Sequence, residues 1–208
     1  MPLARIEAFS DGVFAIVVTL LVLEIHVPQV SGMNVSAALI GSLTAMLPKF
    51  LSFVLSFMIV CIWWVAHHHF FHVLKGADRG LLWFNCLFLL WLAFIPFPTA
   101  LLGDYPHERV AVMCYAAVMG LAGLSFSWMR YYSFFIADLA HAGLDRALMR
   151  KAMIKSALNP ILHFVGLIIA LVDTRIAIGL LIAIPLMFFV PSQLEKRHVV
   201  ERGMRMSD

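Results

Sequence analysis

Asp11 and Glu24 lie at the two ends of an uncharged, apolar stretch, residues 12–23. A carboxylate beside so apolar a segment is costly to place in a membrane, and it usually faces a helix-bundle interior, a partner or a water-filled cavity. The residues alone leave three roles open for Asp11. It could belong to a structural polar network, take part in ligand or proton chemistry, or be exposed at the membrane interface.

Four histidines, His67, His68, His69 and His72, form the second group of residues that could do chemistry. His68 and His72 are four residues apart, a spacing that can chelate zinc or iron from one helix face. However, the sequence has no HExxH and no second cluster of Glu or Cys at the same membrane depth. We therefore predict no metal site, with His68 and His72 as the candidates if one exists, and favour structural or pH-sensing histidines.

Motifs for other chemistry are also missing from the sequence. There is no GxSxG, no phosphate-binding P-loop and no glycine-rich nucleotide motif. The three cysteines fall inside apolar segments without a CxxC pair, which favours packing over redox or metal work. We predict that the chain is not an enzyme and needs no cofactor.

The composition is that of a membrane protein. Of the 208 residues, 62% are hydrophobic and 13% charged, against roughly 45–50% and about 25% in soluble domains. A spanning helix needs about 20 apolar residues. We predict an all-α membrane protein with one unit, residues 1–192, a polar outer loop over 28–45 and a cytoplasmic tail, 193–208. Its six transmembrane helices are predicted at 8–27, 46–71, 80–102, 110–135, 156–172 and 176–192.

The basic residues indicate the orientation. With six spans, 12 of the 15 Lys and Arg residues lie on the side of the two termini. The positive-inside rule then places both termini in the cytoplasm of a multi-pass cell (inner) membrane protein. Because the charge is spread over membrane-flanking loops, no nucleic-acid partner is expected.

The first predicted helix has two different sides. At 100° per residue, Ile16, Thr19, Leu20 and Leu23 form one narrow stripe. Asp11 lies about 140° from Ile16 around the helix. Lipid contact or ordinary packing is the common explanation of such a stripe. Asp11 lies away from this stripe. Because buried polar groups need hydrogen-bond partners, we expect Asp11 to join a network that ties the first helix to the second and third. The other predicted members are Arg5, Ser10, His67, His68, His69 and Asn85.

Several separated motifs resemble one family. Residues 5–11 match the RxxxFSD signature on the first helix of the endosomal/lysosomal potassium channel family (transmembrane protein 175 family) in its prokaryotic form. The signature adds Phe9 to the predicted network. Later segments that resemble the family's second and third helices are Ser52-Phe53, residues 64–68, 81–85 and 96–103.

The resemblance implies a homotetramer in which the first helices line the pore. It places the constriction at Ile16, five residues after the signature aspartate, with Leu20 and Leu23 as further apolar layers. Thr19 matches a hydroxyl position associated with potassium preference. The sequence has no TVGYG and thus no P-loop selectivity filter built from carbonyls.

The resemblance therefore implies a passive potassium-permeable cation channel with a hydrophobic gate. A hydrophobic ring replaces an ion's hydration shell poorly, so only modest preference for K⁺ over Na⁺ is expected. Its partners would be membrane lipid, K⁺ and other monovalent cations. Two alternatives remain: a secondary transporter, and an intramembrane metal-dependent enzyme using His68 and His72.

Overall fold

The computed structural model describes residues 2–31 and 34–188, and these ranges are predominantly helical. The all-α membrane fold class follows the prediction. A short π-helical turn, Tyr132–Ile136, continues the helix that ends at Tyr131. The helices are α1 Leu3–Leu23, α2 Val35–Ala45, α3 Leu47–His72, α4 Arg79–Phe94, α5 Pro96–Asp104, α6 Arg109–Tyr131, α7 Arg146–Ala170 and α8 Thr174–Phe188.

Within the described residues, five helical segments are long and apolar enough to cross a membrane. They are α1, α3, α4 together with α5, α6 with its π-helical turn, and α7. The sequence predicted six spans, and the sixth falls on α8, of which 15 residues are described, fewer than the about 20 that a span needs. Residues 189–192 of the predicted sixth span lie outside the described ranges, as does the predicted tail, 193–208.

The predicted outer loop, 28–45, contains a helix. α2 begins after Asn34, whose side-chain oxygen accepts a hydrogen bond from the backbone N–H of Ala37 at 3.1 Å. Such a cap satisfies one of the N–H groups that a helix start leaves without a partner. The prediction from composition missed this helix because its length is too short to span a membrane.

The predicted third span is divided in two. α4 ends at Phe94 and α5 begins at Pro96, whose ring lacks the N–H needed to continue a helix ladder. After this break α5 approaches α3 closely: a Cβ at Gly103 would lie 2.8 Å from Ser52 Oγ. Lys49 and Asp104 form a salt bridge across the same contact.

The core of the subunit lies around α6. This helix is buried along most of its length and packs against α4, α5 and α7. By contrast, α1 lies at the side of the bundle, where it packs mainly against α3 and α4. Among the described residues, one face of α1 therefore remains uncovered.

A proline in α7 is accommodated by α6. Pro160 cannot donate to the carbonyl of Ser156, four residues earlier. The Ser127 hydroxyl on α6 lies 3.0 Å from that carbonyl and within 2.8 Å of the Gly123 carbonyl, so it can donate to either. The α6–α7 contact thus supplies a partner for the backbone group that Pro160 leaves open.

Candidate functional site

The first helix separates its residues by burial. The buried positions recur every three or four residues and face α3 and α4: Ile6, Ser10, Phe14, Val17 and Leu21. On the other side, the side chains of Ile16, Leu20 and Leu23 are 58%, 40% and 66% exposed in the single chain. Thr19 is exposed beside them. The stripe calculated from the helical period is thus an apolar row that touches little of its own subunit.

A buried hydrogen-bonded chain joins three helices behind this row. The Asn85 amide on α4 donates to Ser10 Oγ on α1 at 3.0 Å. On its other side, Asn85 Oδ1 lies 2.9 Å from His67 Nε2 on α3. These three residues are 0–1% exposed. Since Oδ1 can only accept, the ring of His67 carries its proton on Nε2 in this arrangement.

Asp11 makes a separate contact with α3. Trp64 Nε1 donates to Asp11 Oδ1 at 2.9 Å, and both residues are exposed in the single chain. The indole N–H therefore reaches the carboxylate from the neighbouring helix, away from the row that contains Ile16. Ser10 and Asp11 are neighbours on α1, but Ser10 contacts α4 through Asn85 whereas Asp11 contacts α3 through Trp64.

The structure does not bring Arg5 and Phe9 into these contacts. Phe9 is 61% exposed, and Arg5 is exposed, with no hydrogen bond or ion pair from its side chain to any residue of the described ranges. Both lie within about 20° of Ile16 around the helix, which explains why they point away from α3 and α4. The signature is contiguous in sequence, but its side chains divide between two faces.

The histidine run divides in the same way. His67 is buried, with its ring stacked on that of Phe71 at a centroid distance of 4.4 Å. His68 is exposed, and its ring lies 4.3 Å from that of His72 one turn later. His69 is half-buried, with its ring 5.9 Å from that of His68. Within the described ranges, the predicted network therefore holds His67 and leaves His68 on another face.

Analysis of the sequence missed Glu7 as a neighbour of these histidines. A carboxylate oxygen of Glu7 and one ring nitrogen each of His68 and His72 lie within 4.8 Å of one another. The sequence does show that Glu7 precedes Asp11 by one helical turn, so that both residues face the same side of α1. Nothing in the sequence, however, fixed the register of α1 against α3.

The Thr19 hydroxyl is engaged with its own helix. Its Oγ1 lies 2.8 Å from the Ile16 carbonyl and 3.1 Å from the Ala15 carbonyl, to either of which it can donate. Because the single proton is directed at the backbone, the oxygen lone pairs remain for another partner. An exposed hydroxyl held in this way can offer an oxygen to a cation.

A second buried polar cluster was not predicted. Ser56 Oγ lies 2.7 Å from Thr99 Oγ1 and 3.1 Å from the Tyr115 hydroxyl, joining α3, α5 and α6. All three residues are buried. The side chains satisfy one another, so this cluster stabilises the contact between the three helices.

Comparison with known proteins points to one family. The model of the family described as "Endosomal/lysosomal potassium channel TMEM175" matches residues 5–96. A potassium channel of Chamaesiphon minutus is 34% identical over 191 residues, covering 90% of this chain and 94% of that protein. A potassium channel of Streptomyces collinus is 37% identical over 159 residues, covering 74% and 76%.

A solved structure is also similar. The crystal structure of a lysosomal potassium-selective channel TMEM175 homolog from Chamaesiphon minutus has a TM-score of 0.80 and 34% sequence identity. The match covers 92% of this chain and 98% of the other. The similarity therefore extends over nearly the whole chain in sequence and in fold.

Proposed function

Because this chain belongs to the endosomal/lysosomal potassium channel TMEM175 family, we propose that it is a passive, potassium-permeable cation channel of a cell (inner) membrane. The observation that carries the proposal is the exposed apolar row on α1, formed by Ile16, Leu20 and Leu23. The opposite face of the same helix is tied to α3 and α4 by hydrogen bonds. This arrangement suits a helix that belongs to its subunit on one side and borders a pore on the other.

The pore requires more than one chain. We propose a homotetramer in which four copies of α1 surround the axis and four Ile16 side chains form the narrowest ring. Such a ring of aliphatic groups can close the pore by dewetting. Leu20 and Leu23 would form further apolar layers along the same face.

Selectivity for potassium is proposed to be modest. The chain has no TVGYG segment to provide a filter of carbonyl oxygens. Thr19 would supply one ring of four hydroxyl oxygens whose protons are directed at the helix backbone. A single weak ring replaces little of an ion's hydration shell, so K⁺, which loses water more easily than Na⁺, passes with a moderate advantage.

The topology follows from charge. We propose that both termini and the tail, 193–208, lie in the cytoplasm, where most of the basic residues then collect. Residues 1–192 act as one channel unit, with K⁺, other monovalent cations and membrane lipid as its proposed partners. The transporter and metalloenzyme alternatives would each require a substrate site, and neither accounts for the apolar row on α1.

Ion flux through the purified protein in liposomes tests the function. Under a K⁺ gradient we expect passive flux that is faster than under a matched Na⁺ gradient. Substituting Ile16→Asn should place a polar ring at the constriction, keep it wet, and lower the K⁺/Na⁺ flux ratio towards one. The matched control is Val22→Asn, another exposed position of α1, about 120° from Ile16 around the helix.

Two outcomes would contradict this proposal. Absence of flux from the folded, tetrameric protein would oppose the passive-channel assignment. An unchanged flux ratio in Ile16→Asn, or an equal change in Val22→Asn, would remove Ile16 from the constriction.

A further inference from the structure

The contact between α1 and α3 continues beyond the Asp11–Trp64 hydrogen bond. The two helices run antiparallel, so moving one turn back along α1 from Asp11 to Glu7 corresponds to moving forward along α3 from Trp64. There Glu7 meets His68 and His72. The hydrogen bonds of Ser10 and Asp11 to the neighbouring helices hold this register.

The two histidines are already arranged as a chelating pair. Their Nε2 atoms lie 3.1 Å apart. Zinc binds imidazole nitrogen at about 2.0–2.1 Å with tetrahedral geometry, which places two such nitrogens about 3.3–3.4 Å apart. A small adjustment of the two rings therefore brings both nitrogens to coordinating distance from one ion.

The Glu7 carboxylate supplies a third ligand from the other helix. One of its oxygens lies within 4.8 Å of one ring nitrogen of each histidine, so coordination of a shared ion would require the flexible Glu7 side chain to move closer. We propose that Glu7, His68 and His72 form a binding site for a divalent transition-metal ion, with Zn²⁺ as the best match, that joins α1 to α3.

The ligand set determines which ions bind. Two imidazoles and one carboxylate suit zinc and its neighbours Co²⁺, Ni²⁺ and Cu²⁺, whereas Mg²⁺ and Ca²⁺ prefer oxygen ligands alone. His68 and His72 are exposed and Glu7 is half-buried in the single chain, so the described residues of the same chain do not enclose the proposed ligands. The fourth position stays open for water.

Binding would have a mechanical consequence. Glu7 lies on α1 near its start, about two and a half turns before the apolar row begins at Ile16. An ion held between Glu7 and the two histidines would fix that end of α1 against α3. The site itself exists whether or not α1 borders a pore, so it does not depend on the proposed function.

Metal binding to the full-length, tag-free protein tests the site. Calorimetric titration with Zn²⁺ should show one ion per chain, and Co²⁺ should give the visible absorption of a low-symmetry, four- or five-coordinate centre. The double variant His68→Gln/His72→Gln should lose both signals. Glu7→Gln should weaken Zn²⁺ binding by more than the roughly 10- to 100-fold that results from mutating a residue that only supports a metal ligand. Excess Mg²⁺ should not compete with Zn²⁺.

The control is His107→Gln, which removes an exposed histidine in the turn before α6 and should leave binding unchanged. The proposal is overturned if the wild-type protein does not bind Zn²⁺ stoichiometrically, or if the variants bind it as tightly as wild type. Should the double variant not assemble, Glu7→Gln decides the question, because it keeps the size of the side chain. Since these readouts do not involve flux, their failure would leave the channel proposal standing.

Discussion

At the scale of single residues, Asn85 holds three helices together. It is buried and uses both ends of its amide, donating to Ser10 on α1 and accepting from His67 on α3. Removing it would leave the buried His67 Nε2 without its partner and would take the donor from Ser10 Oγ, which keeps only its bond to the Ile6 carbonyl at 2.8 Å; this costs more than losing one exposed hydrogen bond. The attachment of α1 therefore depends on this side chain more than on its exposed neighbours.

Asn85→Ala should destabilise the protein by about 1–3 kcal/mol, because His67 loses its amide partner and Ser10 loses its donor. Ser10→Ala should cost less, since Asn85 and His67 still pair. Thermal unfolding in detergent, followed by circular dichroism, measures the difference. Cys86→Ala, an exposed change one residue away on α4, is the control. Equal melting temperatures for Asn85→Ala and Cys86→Ala would contradict the assigned role.

At the scale of elements, α7 depends on α6 to remain continuous across Pro160. The Ser127 hydroxyl can donate to the Ser156 carbonyl that the proline leaves without an N–H partner. This contact is buried, and the Ser127 and Ser156 hydroxyls also lie 3.0 Å apart. Because Pro160 is the reason that the Ser156 carbonyl lacks an N–H partner, the contribution of Ser127 to stability should depend on whether the proline is present.

Ser127→Ala should destabilise the wild type by about 1–2 kcal/mol. In a Pro160→Ala background the same change should cost less, since an alanine in place of the proline would provide a backbone N–H for the Ser156 carbonyl. A double-mutant cycle by thermal unfolding gives the coupling between the two positions. Strictly additive effects would show that Ser127 acts independently of Pro160.

Sequence reasoning at this scale recovered the apolar part of each helix and missed the polar ends. Hydropathy detects what lies in hydrocarbon, so α7 was predicted from residue 156, whereas it begins at Arg146, where Asp145 accepts from the Ala147 N–H. The first span was predicted from residue 8 but the helix begins at Leu3, because Arg5 and Glu7 interrupt the apolar stretch without ending the helix.

Within the candidate site, the sequence could predict only those residues whose arrangement depends on a single helix. The angular period placed Ile16, Thr19, Leu20 and Leu23 on one face, and these side chains are exposed together. Contacts between helices were different, because they depend on register. Hence the contact of Glu7 with His68 was missed. Arg5 and Phe9 were assigned to the polar network, although their angular positions place them on the same face of α1 as Ile16.

At the scale of the whole molecule, the single chain leaves an apolar face of α1 uncovered. In an assembly with fourfold symmetry, equivalent residues on that face would approach one another at the axis. The residues on the buried face, such as Val17 at 1% exposure, would remain inside each subunit. Cross-linking between copies can therefore distinguish the exposed face of α1 from the buried face.

In a background without Cys61, Cys86 and Cys114, Ile16→Cys should form disulfide-linked dimers when the assembled protein is oxidised in detergent. A disulfide requires Cβ atoms about 3.5–4.5 Å apart, which a narrow ring of four can provide. Val17→Cys is the matched control and should stay monomeric on a denaturing gel. Cross-linking at Val17, or none at Ile16, Leu20 and Leu23, would contradict the proposed axis.

The unequal burial of α1 and α6 bears on how such proteins diversify. α6 is surrounded by other helices, so most substitutions there reduce the stability of the subunit. The exposed row of α1 makes few contacts within its chain, and changes there carry little cost in folding. Drift and selection can therefore retune the residues proposed to meet the ion while the scaffold stays constant, since those residues are also the ones whose substitution costs the fold least.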